Sequence, residues 1–179
     1  VKIRLFMLLL GAVTVLVGCL SEPKELSLIP GWVEQGSGVF SAEGTVGLQG
    51  VGIAAGISDN DLAVKVSDRL AQQAIGPHLE SLQKDIAQLY SKLNQGKSPP
   101  PAKAEIEEAL RKFGESARKY VRTVDHWRNP DTTSYFSLAR LDLEGMLAGL
   151  DQLYGINGNI REFIRGNIKP VIEKALASE

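Results

Sequence analysis

The sequence predicts an α+β domain, and three observations carry that reading. A long apolar seam at helical spacing occupies residues 62–93, and two runs rich in aromatic and β-branched residues flank a turn-forming Asn129-Pro130-Asp131-Thr132-Thr133. A further β-prone run lies near residue 40. The expected architecture is a small antiparallel sheet, made of one N-terminal strand plus a C-terminal hairpin and packed on a long helix. That helix is kinked or broken at Gly76-Pro77, and further helices follow toward the C-terminus.

The first strand is expected near Phe40 to Gly47, followed by a glycine-rich loop through Gly50, Gly52 and Gly56. Those glycines have the spacing of neither the dinucleotide fingerprint nor the P-loop, and no Gly-Lys-Ser/Thr follows them. They supply either a mobile loop or close backbone packing. Ser58 with Asp61 three residues later has the form of a capping box, which starts the long helix there. Leu62, Val66, Leu70 and Ala74 form one stripe, continued by Ile75, Leu79, Leu82, Ile86, Leu89 and Leu93. An interior proline removes a backbone hydrogen bond, hence the expected kink or break at Pro77. The seam from Ile75 to Leu93 suits a helix lying on its own sheet, with a short coiled-coil contact as the alternative.

Gly96 to Pro101 ends this helix as a stiff, proline-rich spacer. A shorter helix is expected from Ala102 to Phe113 on Ile106, Leu110 and Phe113. The hairpin pairs Lys119–Trp127 with Ser134–Asp142. Leu143, Leu147, Leu150 and Tyr154 describe another helix, and Ile160, Ile164, Ile168, Ile172 and Leu176 the last one, bent at Pro170.

The first twenty residues have a different logic. Lys2 and Arg4 precede an apolar run from Leu5 to Val17, which falls short of the ~20 residues a spanning helix needs and has the layout of an export signal. Leu16-Val17-Gly18-Cys19 resembles the lipobox of bacterial lipoproteins. The resemblance implies cleavage between Gly18 and Cys19 and lipidation of Cys19, with palmitate-type acyl chains on its sulfur and its new amino terminus. A buried core helix containing Cys19 is the alternative, since free cysteine is among the most buried residue types. The basic start, Gly11 within the run and Ser21-Glu22-Pro23-Lys24 after it favour export. The expected division is therefore a signal peptide at 1–18, a lipidated tether at 19–30 and a single domain at 31–179. Fully extended, the 11 tether residues from Leu20 to Pro30 reach at most ~40 Å. The lipoprotein resemblance also implies a destination, because Asp after the cysteine commonly retains members of that class at the inner membrane, and Leu20 and Ser21 stand here instead, which favours the outer one.

Composition narrows the function classes. The chain has 20 basic and 21 acidic side chains, and loss of Lys2 and Arg4 with the leader moves its formal charge from −1 by two units to −3. Nucleic-acid binding is not supported by that charge or by any local basic run. Cys19 is the single cysteine. Its lipidation leaves no thiol for a disulfide, a thiolate metal site or a nucleophile.

Several short segments also resemble the Lpp-twenty-like family of bacterial lipoproteins, which includes a flagellum-associated outer-membrane lipoprotein. They are Gly31-Trp32-Val33, Ala42 to Gly47, the Leu62 to Leu93 helix, Val124-Asp125-His126-Trp127 and Leu138-Ala139-Arg140-Leu141-Asp142. The resemblance implies an antiparallel sheet on a long helix and an envelope or assembly role without an enzymatic activity. The expected partners are the membrane, through Cys19, and an envelope protein or a second copy of the chain. No metal, cofactor or small-molecule substrate is indicated.

Catalytic candidates are few. The two histidines, His78 and His126, have no metal-ligand spacing around them. His126 could join Asp125 or Asp142 and a remote serine in a Ser-His-Asp arrangement, which would make the chain a periplasmic cell-wall enzyme or enzyme activator. Glu105, Glu107 and Glu108 have the form of a solvated helix face. Trp127 and Tyr135 are expected to meet across the hairpin as core aromatics or as a sticky patch.

Overall fold

The computed structural model describes residues 29–42, 44–96 and 103–178. The signal peptide, the lipidation site Cys19, most of the tether and most of the 96–101 spacer lie outside the described residues. The fold is α+β, with a four-stranded antiparallel sheet in the order β1-β2-β4-β3, packed on a long helix and further C-terminal helices. A short helix α1 (Gly31–Gln35) leads into β1 (Gly38–Ala42) and β2 (Thr45–Ala54). The long helix α2 (Asn60–Leu93), then α3 (Lys103–Ser116), β3 (Val121–Arg128), β4 (Tyr135–Leu141), α4 (Leu143–Ala148) and α5 (Gly158–Leu176) complete the chain.

The N-terminal strand is in fact two strands, joined by a turn in which Gly44 adopts φ +75°. The glycine-rich stretch is not a loop, because Gly50 and Gly52 lie within β2 and pair with Ala139 and Ser137 of β4. Close packing is the reason for both glycines. A Cβ at Gly50 would stand 2.1 Å from the Ala71 carbonyl oxygen, and one at Gly52 would stand 2.0 Å from that of Ser67. Only glycine lets the α2 backbone approach this strand so closely.

That approach also corrects the stripe by which α2 packs. Its first half buries Ala63, Ser67 and Ala71 rather than Leu62, Val66 and Leu70, leaving Leu62 and Leu70 substantially exposed. Small residues fit over the glycines where leucines would not. From Ile75 the expected seam holds as far as Ile86, with Ile75, Leu79, Leu82 and Ile86 buried, whereas Leu89 is only partly buried and Leu93 is 58% exposed.

Helix α2 begins at Asp59, whose Oδ1 accepts from the Leu62 amide at 2.9 Å, one residue later than a cap at Ser58. It runs unbroken through Gly76-Pro77. The hydrogen bond that Pro77 cannot make frees the carbonyl of Gln73, an exposed residue whose backbone water can satisfy. Helix α5 likewise continues through the exposed Pro170.

One face of the sheet packs on the helices. Leu48, Ala139 and Leu141 meet the apolar faces of α2, α3, α4 and α5, centred on Ile75, Ile86, Phe113, Met146, Leu150, Ile164 and Ile168. The Leu143 helix is shorter than expected, giving way to a 3-10 turn at Gly149–Gln152, and Tyr154 lies outside the stripe at 93% exposure. Its Asp142 caps α4 through a 2.8 Å bond from the Gly145 amide.

Candidate functional site

Strand alternation on this sheet sorts the candidate residues onto two faces. On the helix face at the β3 edge, His126 Nε2 lies 2.7 Å from Asp68 Oδ1, a residue of α2. One helical turn further on, Gln72 Nε2 donates to Thr123 Oγ1 at 3.3 Å. Together they tie the edge strand to α2 through exposed polar pairs. Neither expected carboxylate orients the imidazole. Asp125 accepts the His126 backbone N–H at 2.8 Å and the Trp32 indole N–H at 2.9 Å, while Asp142 is spent as the α4 cap.

A serine does stand beside the histidine, since Ser137 is its register partner on β4. Its hydroxyl is committed elsewhere. Ser67 Oγ donates to the Val64 carbonyl at 2.9 Å, so the 2.7 Å contact between Ser67 and Ser137 has the Ser137 hydroxyl as donor. Both serines are fully buried beneath α2. A nucleophile needs its oxygen open to substrate and its proton directed at a base. Ser137 has neither, and the cluster reads as a polar staple between helix and sheet. His78, in the middle of α2, is half-buried beside β1 near Gly38.

The other face of the sheet gathers Trp32, Asp125, Trp127, Leu138 and Arg140 from the motifs named above. Three cross-strand rows can be read from the register: Ile53, Phe136 and Trp127; then Val51, Leu138 and Asp125; then Gln49, Arg140 and Arg122. Helix α1 lies over the second and third rows. Trp32 bonds Asp125, Gln49 Nε2 donates to the Gly36 carbonyl at 2.9 Å and to Gln35 Oε1 at 3.2 Å, and Ser37 Oγ accepts from the Val51 amide at 2.8 Å. Beneath it Leu138 and Phe40 are buried, with the Arg140 guanidinium 4.3 Å from the Phe40 ring centroid.

The first row extends beyond this cover. Ile53 is 51% exposed, and Phe136 and Trp127 are each partly exposed. The hairpin register corrects the expected aromatic pair, because Trp127 opposes Phe136, with ring centroids 5.1 Å apart, whereas Tyr135 opposes Arg128. Tyr135 points to the helix face, where the Arg128 guanidinium lies 5.3 Å from its ring.

Elsewhere the polar residues behave as a solvated surface. Glu108 pairs with Arg111 and Lys112, and Glu107 with Lys103, while Glu105 is exposed at the start of α3. The Arg111 hydrogen bonds hold the Glu108 carboxyl below its usual range, opposed by desolvation and aided by the Arg111 and Lys112 charges. Two shallow clefts of about 610 and 590 Å³ flank the C-terminal half of α2. Lys84, Lys92 and Lys103 line the first, Lys92 and Lys174 the second, and neither contains a histidine. Among the described residues no group of three or more His, Cys, Asp or Glu is placed to hold a metal ion. None of their helices is long and apolar enough to cross a membrane. Compared with known proteins, the chain matches no family model and no curated sequence.

Proposed function

We propose that this chain is a membrane-anchored bacterial envelope lipoprotein with a non-catalytic structural or protein-interaction role on the outer membrane. The observation that carries the reading is the order of its first residues: two cations, an apolar run too short to span, and a single cysteine directly after Leu-Val-Gly. A lipid anchor explains why a chain with one thiol places it there. Buried CH₂ groups contribute ~0.8 kcal/mol each, so several acyl chains on Cys19 make attachment effectively permanent. The Lpp-twenty-like resemblance adds an assembly role, with an envelope protein or a second copy as partner. Metabolic labelling with a palmitate analogue tests the anchor. Wild type takes up label and Cys19→Ala does not; equal labelling of the two refutes the proposal.

One observation favours a cell-wall enzyme or activator instead, namely the His126 and Asp68 pair at the edge of the sheet. Against it stands the burial of the neighbouring serine pair. Purified wild type and His126→Ala assayed on peptidoglycan separate the readings, since turnover lost with the histidine would establish the enzyme.

A further inference from the structure

We infer that the Ile53, Phe136 and Trp127 row, together with Trp32, is a lipid-facing surface on which the domain rests against the membrane that holds its anchor. The inference deepens the proposed anchoring and rests on it. Its first support is where the chain leaves the fold. Helix α1 runs from Trp32, bonded to Asp125 in the second row, to Gln35, bonded to Gln49 in the third. Helix α1 therefore lies on this face of the sheet, and the tether enters the fold at its start, where Trp32 meets Asp125 of β3. From Cys19 to Ile29 a fully extended chain spans at most ~35 Å, so the lipid lies within that distance of the face on which α1 begins.

Chemistry is the second support. Both tryptophans of the chain, Trp32 and Trp127, belong to this face, each partly exposed. Indoles, with an apolar body and a polar N–H, favour the boundary between headgroups and acyl chains. Ile53 projects beside them at 51% exposure, and Phe136 fills the row between. The opposite side of the sheet is already covered by α2, α3, α4 and α5, whereas this row is an apolar part of the sheet left open, as is Val124 at the β3 edge. A surface helix or sheet of this type needs only shallow immersion, about 5–10 Å into the headgroup boundary.

The placement of both tryptophans makes the test direct. Full-length lipidated protein is reconstituted into phosphatidylethanolamine and phosphatidylglycerol vesicles, with and without bromine on the acyl chains, and tryptophan emission is read after flotation. Emission falls in brominated relative to unbrominated vesicles, as indoles at interfacial depth lie within reach of the acyl-chain bromines. Ile53→Glu floats equally well and loses most of that quenching. Protein that floats but emits equally in both vesicles overturns this inference while leaving the anchor intact, and assigns the row to the tether or a protein. Protein that does not float refutes the anchor and this inference together.

Discussion

Replacing Gly52 with alanine adds one methyl group where the α2 backbone lies closest to β2. That methyl would stand 2.0 Å from the Ser67 carbonyl oxygen and 2.3 Å from the Ala71 amide nitrogen, where real Cβ contacts do not fall under 3.0 Å. Both obstacles are backbone, so no rotamer change relieves them, and α2 must lift from β2 by about 1 Å. A gap of that size forfeits roughly a quarter to a half of the dispersion energy of each contact across it. It also stretches the buried 2.7 Å hydrogen bond between Ser67 and Ser137, worth about 1 kcal/mol. With ~1–3 kcal/mol for overpacking itself, the expected loss is about 3 kcal/mol. At ~2–4 °C per kcal/mol for a domain of this size, the melting temperature falls by about 6–12 °C. Urea unfolding followed by circular dichroism and tryptophan emission reads both quantities. A loss below about 1 kcal/mol would refute the claim that glycine at this position is a packing requirement.

The opposite outcome is expected for Gly166→Ala in α5, where a Cβ meets nothing within 4 Å, and the gain in thermal unfolding should reach up to ~1 kcal/mol. For the serine pair, Ser67→Ala alone strands the Ser137 hydroxyl and costs ~1–3 kcal/mol, whereas Ser67→Ala with Ser137→Ala costs less than the sum of the two. Denaturation of the two single variants and the double variant reads this, and strict additivity would contradict a direct bond. Glu108 titrates by NMR below the ordinary value of 4.5, and Arg111→Gln moves its midpoint upward. Its folded-state pKa being lowered, the pair's contribution is present above the ordinary value and is lost as pH falls through the lowered one. An unchanged midpoint in Arg111→Gln would remove Arg111 as the cause.

The hairpin and the later helices are legible in the sequence because their cores are built from large residues at regular spacing. Ile160, Ile164, Ile168 and Ile172 all become buried, as does the Ile75 to Ile86 seam. Strand β2 is illegible for the opposite reason. Glycine is depleted in strands, and Gly50 and Gly52 announce a loop until α2 is known to lie on them. The same contact shifts the buried stripe from Leu62 and Leu70 to Ala63, Ser67 and Ala71, since apolar periodicity weights large side chains while this interface selects small ones. At the candidate sites, the sequence pairs Trp127 with Tyr135 and the fold pairs it with Phe136, because turn length sets register and a six-residue loop permits several. The partners Asp68 of His126 and Trp32 of Asp125 stand 58 and 93 residues away in the chain. Nothing local in the sequence signals such pairings.

Intact mass spectrometry of the protein purified from its own membranes tests the lipid anchor most directly. The account predicts a mature chain that begins at Cys19, heavier than its peptide mass by a diacylglyceryl group and an amide-linked acyl chain, with no free thiol. A mature chain starting at any other residue, or Cys19 carrying an unmodified sulfhydryl, would contradict it.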